Sequence, residues 1–89
     1  MNWRAILIKM EPRVFQVQAD WDPEACVWVA TSDDVPGLAT EAETIETLTE
    51  KLRTLIPELL EANQVPSNPN QELVFELTSH RQESVRLAS

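Results

Sequence analysis

The sequence predicts an α+β fold in the order β-β-β-α-β, in which one amphipathic helix packs on one face of an antiparallel sheet. Three observations predict this class. Short segments of alternating or continuous apolar residues come first, one long segment with apolar residues every three or four positions follows, and a last alternating segment comes after it. A chain of 89 residues has interior enough for one core, so these elements belong to one domain.

The first two strands are predicted as a hairpin. Residues 14–19 alternate apolar and polar side chains, and Asp22-Pro23 suits the first two positions of a type I turn. The second strand, residues 26–31, is apolar on both faces up to its threonine, which predicts a central strand that is covered on each side. One helix covers one face only, so this strand favours a dimer or a partner protein. The candidate oligomer interface comprises Val27, Trp28 and Val29.

The single glycine of the chain predicts a sharp reversal after the second strand. In Val35-Pro36-Gly37-Leu38, proline and glycine occupy the second and third positions of a type II turn, where a positive φ excludes nearly every residue with a Cβ atom. Residues 38–42 then form a short third strand that runs back beside the second. Pro36 and Gly37 are therefore predicted to be structural turn residues.

Residues 45–60 are predicted as the helix, because their apolar side chains form one stripe at helical spacing. Thr44 suits the N-cap, and Glu46 suits the positive end of the helix dipole. Pro57 removes a backbone hydrogen bond inside this helix. It predicts either a kink near Arg53 or a break followed by a last turn that Pro57 begins.

The remaining segments complete the domain organisation. Residues 63–70 are rich in proline and asparagine and are predicted as a loop, and residues 73–78 alternate again as a fourth strand. The domain itself spans residues 13–80. Residues 1–12 are predicted as an N-terminal extension or an extra strand, and residues 81–89 as an extension of the last strand or a tail.

The amino-acid composition disfavours some classes of function and favours others. The net charge of −8 disfavours nucleic acid as a direct ligand, since phosphate binding requires clustered basic residues. It favours basic partners, unless the carboxylates only keep the surface hydrated. Cys26 is the single cysteine, which excludes an intramolecular disulfide and fits a reducing, cytoplasmic environment. No apolar run is long enough for a membrane span and no signal peptide opens the chain, so no membrane association is expected.

Five carboxylates invite comparison with a two-metal nuclease site, which needs several carboxylates converging on paired cations. The alternative is that they serve turns, where aspartate accepts hydrogen bonds from backbone N–H groups. The second interpretation is preferred, and no metal, cofactor or catalytic residue is predicted. The five residues are Asp20, Asp22, Glu24, Asp33 and Asp34.

The other chemically interesting residues also favour structural roles. His80 has no nucleophile at readable spacing and is expected to be an exposed structural histidine. Cys26 lies in the most apolar segment and is expected to be an inert core thiol. Trp3, Trp21 and Trp28 lack the basic surroundings of a base-stacking platform, so core or interface packing is expected.

The order of elements around the segment DVPGLATEAET resembles the HicB-like antitoxin domain, and more closely the small stand-alone domains of unknown function grouped with it. The resemblance covers roughly residues 13–77, and Thr44 again caps the helix after this segment. Two positions depart from the pattern, Leu38 where many relatives have cysteine and Ala42 where many have glycine. About a dozen residues follow Leu77, too few for the DNA-binding module that HicB antitoxins usually carry, so DNA binding does not carry over.

The resemblance implies a reduced ribonuclease H-like fold that forms homo-oligomers and neutralises a small basic ribonuclease toxin. The leading hypothesis is therefore a non-catalytic antitoxin whose partner is a HicA-like ribonuclease toxin. The alternatives are an orphan homo-oligomer, a dimer or larger, that serves as a structural or interaction module, and a metal-dependent nuclease. On charge alone, the candidate partner surface comprises Asp33, Asp34, Glu41, Glu43 and Glu46.

Overall fold

The computed structural model describes residues 13–66 and 72–88, so the expectations for residues 1–12, Trp3 among them, and for most of the loop after the helix lie outside the described residues. The order of elements is β-β-β-α-β, as predicted. No helix in the described ranges is long and apolar enough to cross a membrane. The elements are β1 (Val14–Asp22), β2 (Val27–Thr31), β3 (Ala39–Ala42), α1 (Ile45–Ala62) and β4 (Val74–His80).

The four strands form one sheet in the order β3-β2-β1-β4. β2 pairs antiparallel with both β1 and β3, and it is an interior strand as predicted. The sheet is mostly antiparallel, as predicted, but β4 runs parallel to β1. The chain reverses at each of the first two turns, so β3 runs with β1. The helix returns the chain once more, and β4 therefore has the same direction as β1.

The core lies between α1 and one face of the sheet. Phe15, Val17 and Ala19 alternate with exposed residues along β1 and are at most 5% exposed, which confirms the predicted period. The helix buries every third or fourth residue in the same core cluster. Each leucine or isoleucine taken from water in this way contributes about 1.5–3 kcal/mol. The buried helix residues are Leu48, Leu52, Ile56 and Leu60.

The predicted N-cap is confirmed, because Thr44 has an extended backbone and its Oγ1 accepts the N–H of Thr47 at 3.1 Å. The predicted break at Pro57 is wrong, since the helix continues to Ala62. Pro57 and Arg53 are both exposed. The Arg53 carbonyl that loses its N–H partner therefore lies on the solvent side, where water can hydrogen-bond to it.

The hairpin turn occupies residues 23–26. Asp22 Oδ1 accepts the N–H groups of Glu24 at 3.0 Å and Ala25 at 3.2 Å, the role predicted for this aspartate. The expectation that Cys26 is a core thiol is wrong: it is exposed, has φ of 56°, and donates its N–H to the Asp22 carbonyl at 2.8 Å. The loop needs one residue in the left-handed conformation before Val27 can pair with Asp22.

The turn between β2 and β3 is the predicted type II turn. Gly37 has φ of 77°, and the Leu38 N–H donates to the Val35 carbonyl at 3.2 Å. Asn63, which ends the helix, donates from its side chain to the Pro36 carbonyl at 3.4 Å. This turn therefore lies against the C-terminal end of α1.

We predict that Gly37→Ala lowers the free energy of unfolding by about 1–2 kcal/mol, the cost of a left-handed conformation in a residue with a Cβ atom. The added Cβ would lie 3.7 Å from Leu59 Cδ2, an ordinary contact, so the loss comes from the backbone. Urea unfolding measures this change in the free energy of unfolding. Pro36→Ala is the control, with an expected loss below about 1 kcal/mol. A Gly37→Ala protein as stable as wild type would contradict the assignment.

Candidate functional site

One end of the sheet gathers aromatic, basic and acidic side chains. Trp21 lies opposite Trp28, and Trp28 lies opposite Ala42 on the next strand. On the other side of β1, Asp20 lies opposite His80. Strands β1, β3 and β4 all end here, which brings the residues that follow them together. We call this region the hairpin end; it comprises residues 20–22, 27–28, 41–44 and 79–81.

The two tryptophans form an aromatic platform at the hairpin end. Their ring centroids are 5.3 Å apart with an interplanar angle of 60°, an edge-to-face contact that contributes about 0.5–1.5 kcal/mol. The Arg81 guanidinium lies 4.1 Å from the Trp21 ring centroid and 6.0 Å from that of Trp28. Arg81 Nε also contacts Glu83 Oε1 at 2.7 Å. Both tryptophans remain half-buried, so the platform is partly open to solvent.

An acidic groove adjoins this platform where β3 leads into the helix. Glu41 and Glu43 are exposed, and Glu46 is exposed on the first turn of α1. Lys51 donates from Nζ to the Glu41 carbonyl at 2.7 Å, which holds the end of β3 to the helix. The groove therefore combines carboxylates with one cation already engaged by a backbone carbonyl. Its lining includes Val27, Glu41, Glu43, Thr44, Thr47 and Lys51.

The titratable groups of the hairpin end are exposed and loosely arranged. His80 Nδ1 lies 3.8 Å from Asp20 Oδ1, and the two side chains are 62% and 65% exposed. An exposed pair of this kind contributes less than about 1 kcal/mol when the imidazole is charged. Across residues 13–66 and 72–88, no three His, Cys, Asp or Glu side chains converge so as to hold a metal ion.

The structure divides the predicted partner surface into two groups. Glu41 and Glu43 belong to the hairpin end, and Glu46 follows them on the first turn of α1. Asp33 and Asp34 lie at the opposite end of β3, in the connection beside the C-terminal end of the helix. The division follows from topology, since β3 begins after this connection and ends at the hairpin end. The acidic residues therefore do not form one continuous surface.

Asp34 has a structural role that explains the aspartates before the glycine turn. Asp34 Oδ2 accepts the N–H of Gln16 at 2.7 Å, and the Ser32 hydroxyl donates to the Gln16 carbonyl. Ser32 Oγ in turn accepts the N–H groups of Asp34 at 3.0 Å and Val35 at 3.2 Å. The two side chains therefore hydrogen-bond to the backbone N–H and C=O groups of Gln16 in β1, just beyond the point where β2 ends. This confirms for Asp34 the predicted hydrogen bonding to backbone N–H.

The structure also separates the three residues of the predicted oligomer interface. Trp28 lies on the helix face, opposite Trp21, and packs against the core. Val27 and Val29 alternate with it and lie on the open face, where both are half-buried. On that face Val29 lies between its pairing partners Asp20 and Glu41. Self-association through these valines would therefore bring carboxylates together.

Sequence reasoning missed the contact of Arg81 with Trp21. The two residues are distant in sequence, and only the parallel pairing of β4 with β1 brings them together. In the sequence, the indication of this contact was an arginine shortly after the fourth predicted strand. That signal carries information only when the neighbouring strand and its register are known.

Residues 14–89 match a family described as Domain of unknown function (DUF1902). The chain belongs to this family. It is also similar to a solved structure, the hypothetical protein TTHA1013 from the extremely thermophilic bacterium Thermus thermophilus. The two are 49% identical over 84% of this chain and 100% of that one, with a TM-score of 0.60. No curated protein matches the chain. The expected resemblance to small domains of unknown function is confirmed, and no function is named.

We predict that Asp34→Ala lowers the free energy of unfolding by about 1.5 kcal/mol, because it leaves the Gln16 N–H without its charged acceptor. Asp33→Ala is the matched control, since it removes the same charge from the neighbouring, exposed position. Its expected effect stays within about 0.5 kcal/mol. Chemical denaturation compares the two, and equal losses would show that Asp34 acts through charge alone.

Proposed function

We propose that this protein is a cytoplasmic, non-catalytic antitoxin-type protein that binds a small basic ribonuclease of the HicA-like kind and occludes its RNA-binding face. The observation that carries the proposal is the hairpin end, which combines the contacts of Trp21 with Trp28 and Arg81 on the helix face with exposed carboxylates around the end of β3. Tryptophan and arginine are the residues most enriched at the centres of protein interfaces. The HicB-like resemblance of the chain supports the same class of partner.

Charge supports a basic partner. Residues 13–80 contain 13 acidic and three basic side chains, so the folded body carries a net charge of −10. Such a field accelerates the approach of a basic protein and disfavours nucleic acid as a competing ligand. The carboxylates would act mainly on the association rate. The lifetime of the complex would depend on desolvated apolar contacts.

The tryptophan platform suits those apolar contacts. Trp28 is anchored against the core, whereas Trp21 lies at the margin beneath the Arg81 guanidinium. A partner that covers Trp21 would bury aromatic surface on a pre-organised support, which reduces the entropic cost of binding. The acidic groove beside the platform would receive basic side chains from the same partner.

The test begins with affinity purification of the tagged protein from its native cells. We expect a basic protein of similar size to co-purify, and its cleavage of RNA to stop when this protein is added in equimolar amount. Absence of such a partner, or undiminished RNA cleavage by a purified one, would contradict the proposal.

Substitutions at the hairpin end then test whether it forms the surface that binds the partner. Trp21→Ala is expected to weaken binding about tenfold or more, mainly through faster dissociation. The triple reversal Glu41→Lys, Glu43→Lys and Glu46→Lys is expected to slow association. The matched control reverses three exposed carboxylates along the helix and changes the net charge equally. These control residues are Glu50, Glu58 and Glu61.

In surface plasmon resonance, equal slowing by the two triple variants would mean that overall charge acts rather than the hairpin end. Wild-type dissociation of the Trp21→Ala protein would remove the platform from the interface. Circular dichroism of each variant confirms that the fold is retained.

A second candidate is an orphan homo-oligomer that acts as an interaction module without a toxin. The observation that favours it is the half-buried pair Val27 and Val29 on the face opposite the helix. A clean homo-oligomer recovered from native extracts, with no basic protein bound, distinguishes this candidate from the first.

A further inference from the structure

The segment after β4 is exposed and apolar at alternate positions. Residues 81–88, which we call the C-terminal arm, have no helix or strand and are exposed throughout. Val85 is 86% and Leu87 is 90% exposed, the highest values among the large apolar side chains of the described residues. Arg86 lies between them. This period of two is that of a strand with one apolar face.

The arm continues from a strand that lies at the edge of the sheet formed by the described residues. Among the described residues, β4 is the outermost strand, with β1 on one side only. Such an edge presents unpaired backbone N–H and C=O groups that another strand can bind. On the helix face, Phe75 and Leu77 of β4 are half-buried, opposite Phe15 and Val17 of β1. The edge thus offers both hydrogen bonds and apolar surface.

We propose that the C-terminal arm adds as an antiparallel strand to the free edge of β4 in a second copy of this chain, and that two copies exchange arms reciprocally. This inference does not depend on the proposed toxin partner. The match to the family extends to residue 89, so the arm is part of the shared domain.

The arm cannot serve the edge of its own β4. To do so, the chain would have to reverse directly after His80 and then run back along the strand. Residues 81–83, where that turn would lie, contain no Gly, Pro, Asn, Asp or Ser, the residues that dominate tight turns. Arg81 also holds the start of the arm against Trp21. The edge and the arm therefore complement each other between two molecules.

Charge favours a second copy as the occupant. The arm carries two arginines and one glutamate, a net charge of +1, whereas residues 13–80 carry −10. The acidic domains of two copies, residues 13–80 in each, repel each other when they approach face to face. An arm is attracted to the acidic body of the other copy, so arm exchange offsets part of this repulsion.

Side-chain alternation selects the register. Opposite residues in an antiparallel pair share a face of the sheet. With Val85 opposite Leu77, Leu87 lies opposite Phe75, and both arm residues extend the apolar helix face. A shift of one residue would place them beside Glu76 and Thr78 instead.

Analytical ultracentrifugation of the full chain tests the exchange. We expect wild type to sediment as a dimer and Val85→Ser/Leu87→Ser as a monomer, with unchanged circular dichroism because both side chains are exposed within one copy. Val14→Ser, which alters another exposed valine, is the matched control and is expected to stay dimeric. A monomeric wild type at the highest attainable concentration, or a dimeric double variant, would overturn the proposal.

Cross-linking tests the register. The same alignment places Thr78 opposite Ser84, so in a Cys26→Ser background Thr78→Cys/Ser84→Cys is expected to form disulfide-linked dimers on mild oxidation. The control Ser79→Cys/Ser84→Cys puts the two thiols on opposite faces and is expected to remain unlinked. Equal linking of both variants would exclude the proposed pairing.

Discussion

The structure depends on the packing of one apolar helix stripe against one face of the sheet. Leu48, Leu52 and Ile56 are fully buried, and β1 meets them with Phe15, Val17 and Ala19. β1 is also the strand that pairs with both β2 and β4. All the buried apolar residues of the described ranges belong to this one core cluster. The small core makes every residue of the stripe important for stability.

The same packing determines which side chains come together at the hairpin end. Once Ala19 faces the helix, alternation puts Trp21 on that face and its pairing partner Trp28 with it. The helix begins near this end of the sheet, and its first turn carries the exposed carboxylate of Glu46. The hairpin end is therefore a consequence of register, and Trp28 of its aromatic platform packs against the core.

The two ends of the sheet differ in their use of polar residues. At the end opposite the hairpin end, the side chains of Ser32 and Asp34 hydrogen-bond to the backbone of Gln16, and Gly37 makes the turn that follows. At the hairpin end, Glu41 and Glu43 leave their carboxylates in solvent. A partner can therefore engage the hairpin end without disrupting a structural hydrogen bond of the opposite turn.

Local patterns in the sequence were sufficient for the elements themselves. The helix, its Thr44 cap, the Gly37 turn and the alternation of β1 each follow from a few neighbouring residues, because capping, positive φ and apolar period act over one or two turns of chain. The exposure of Cys26 did not follow, since the loop length depends on the pairing of Asp22 with Val27.

By itself, the sequence determined the order of elements, the acidity of the chain and the amphipathic helix that covers the core. Only the tertiary structure decided that β4 runs parallel to β1, that Trp28 lies on the face opposite Val27 and Val29, and that Arg81 covers Trp21. These are relations between residues distant along the chain. They depend on register and strand direction, which arise when several weak local preferences are satisfied together around one core.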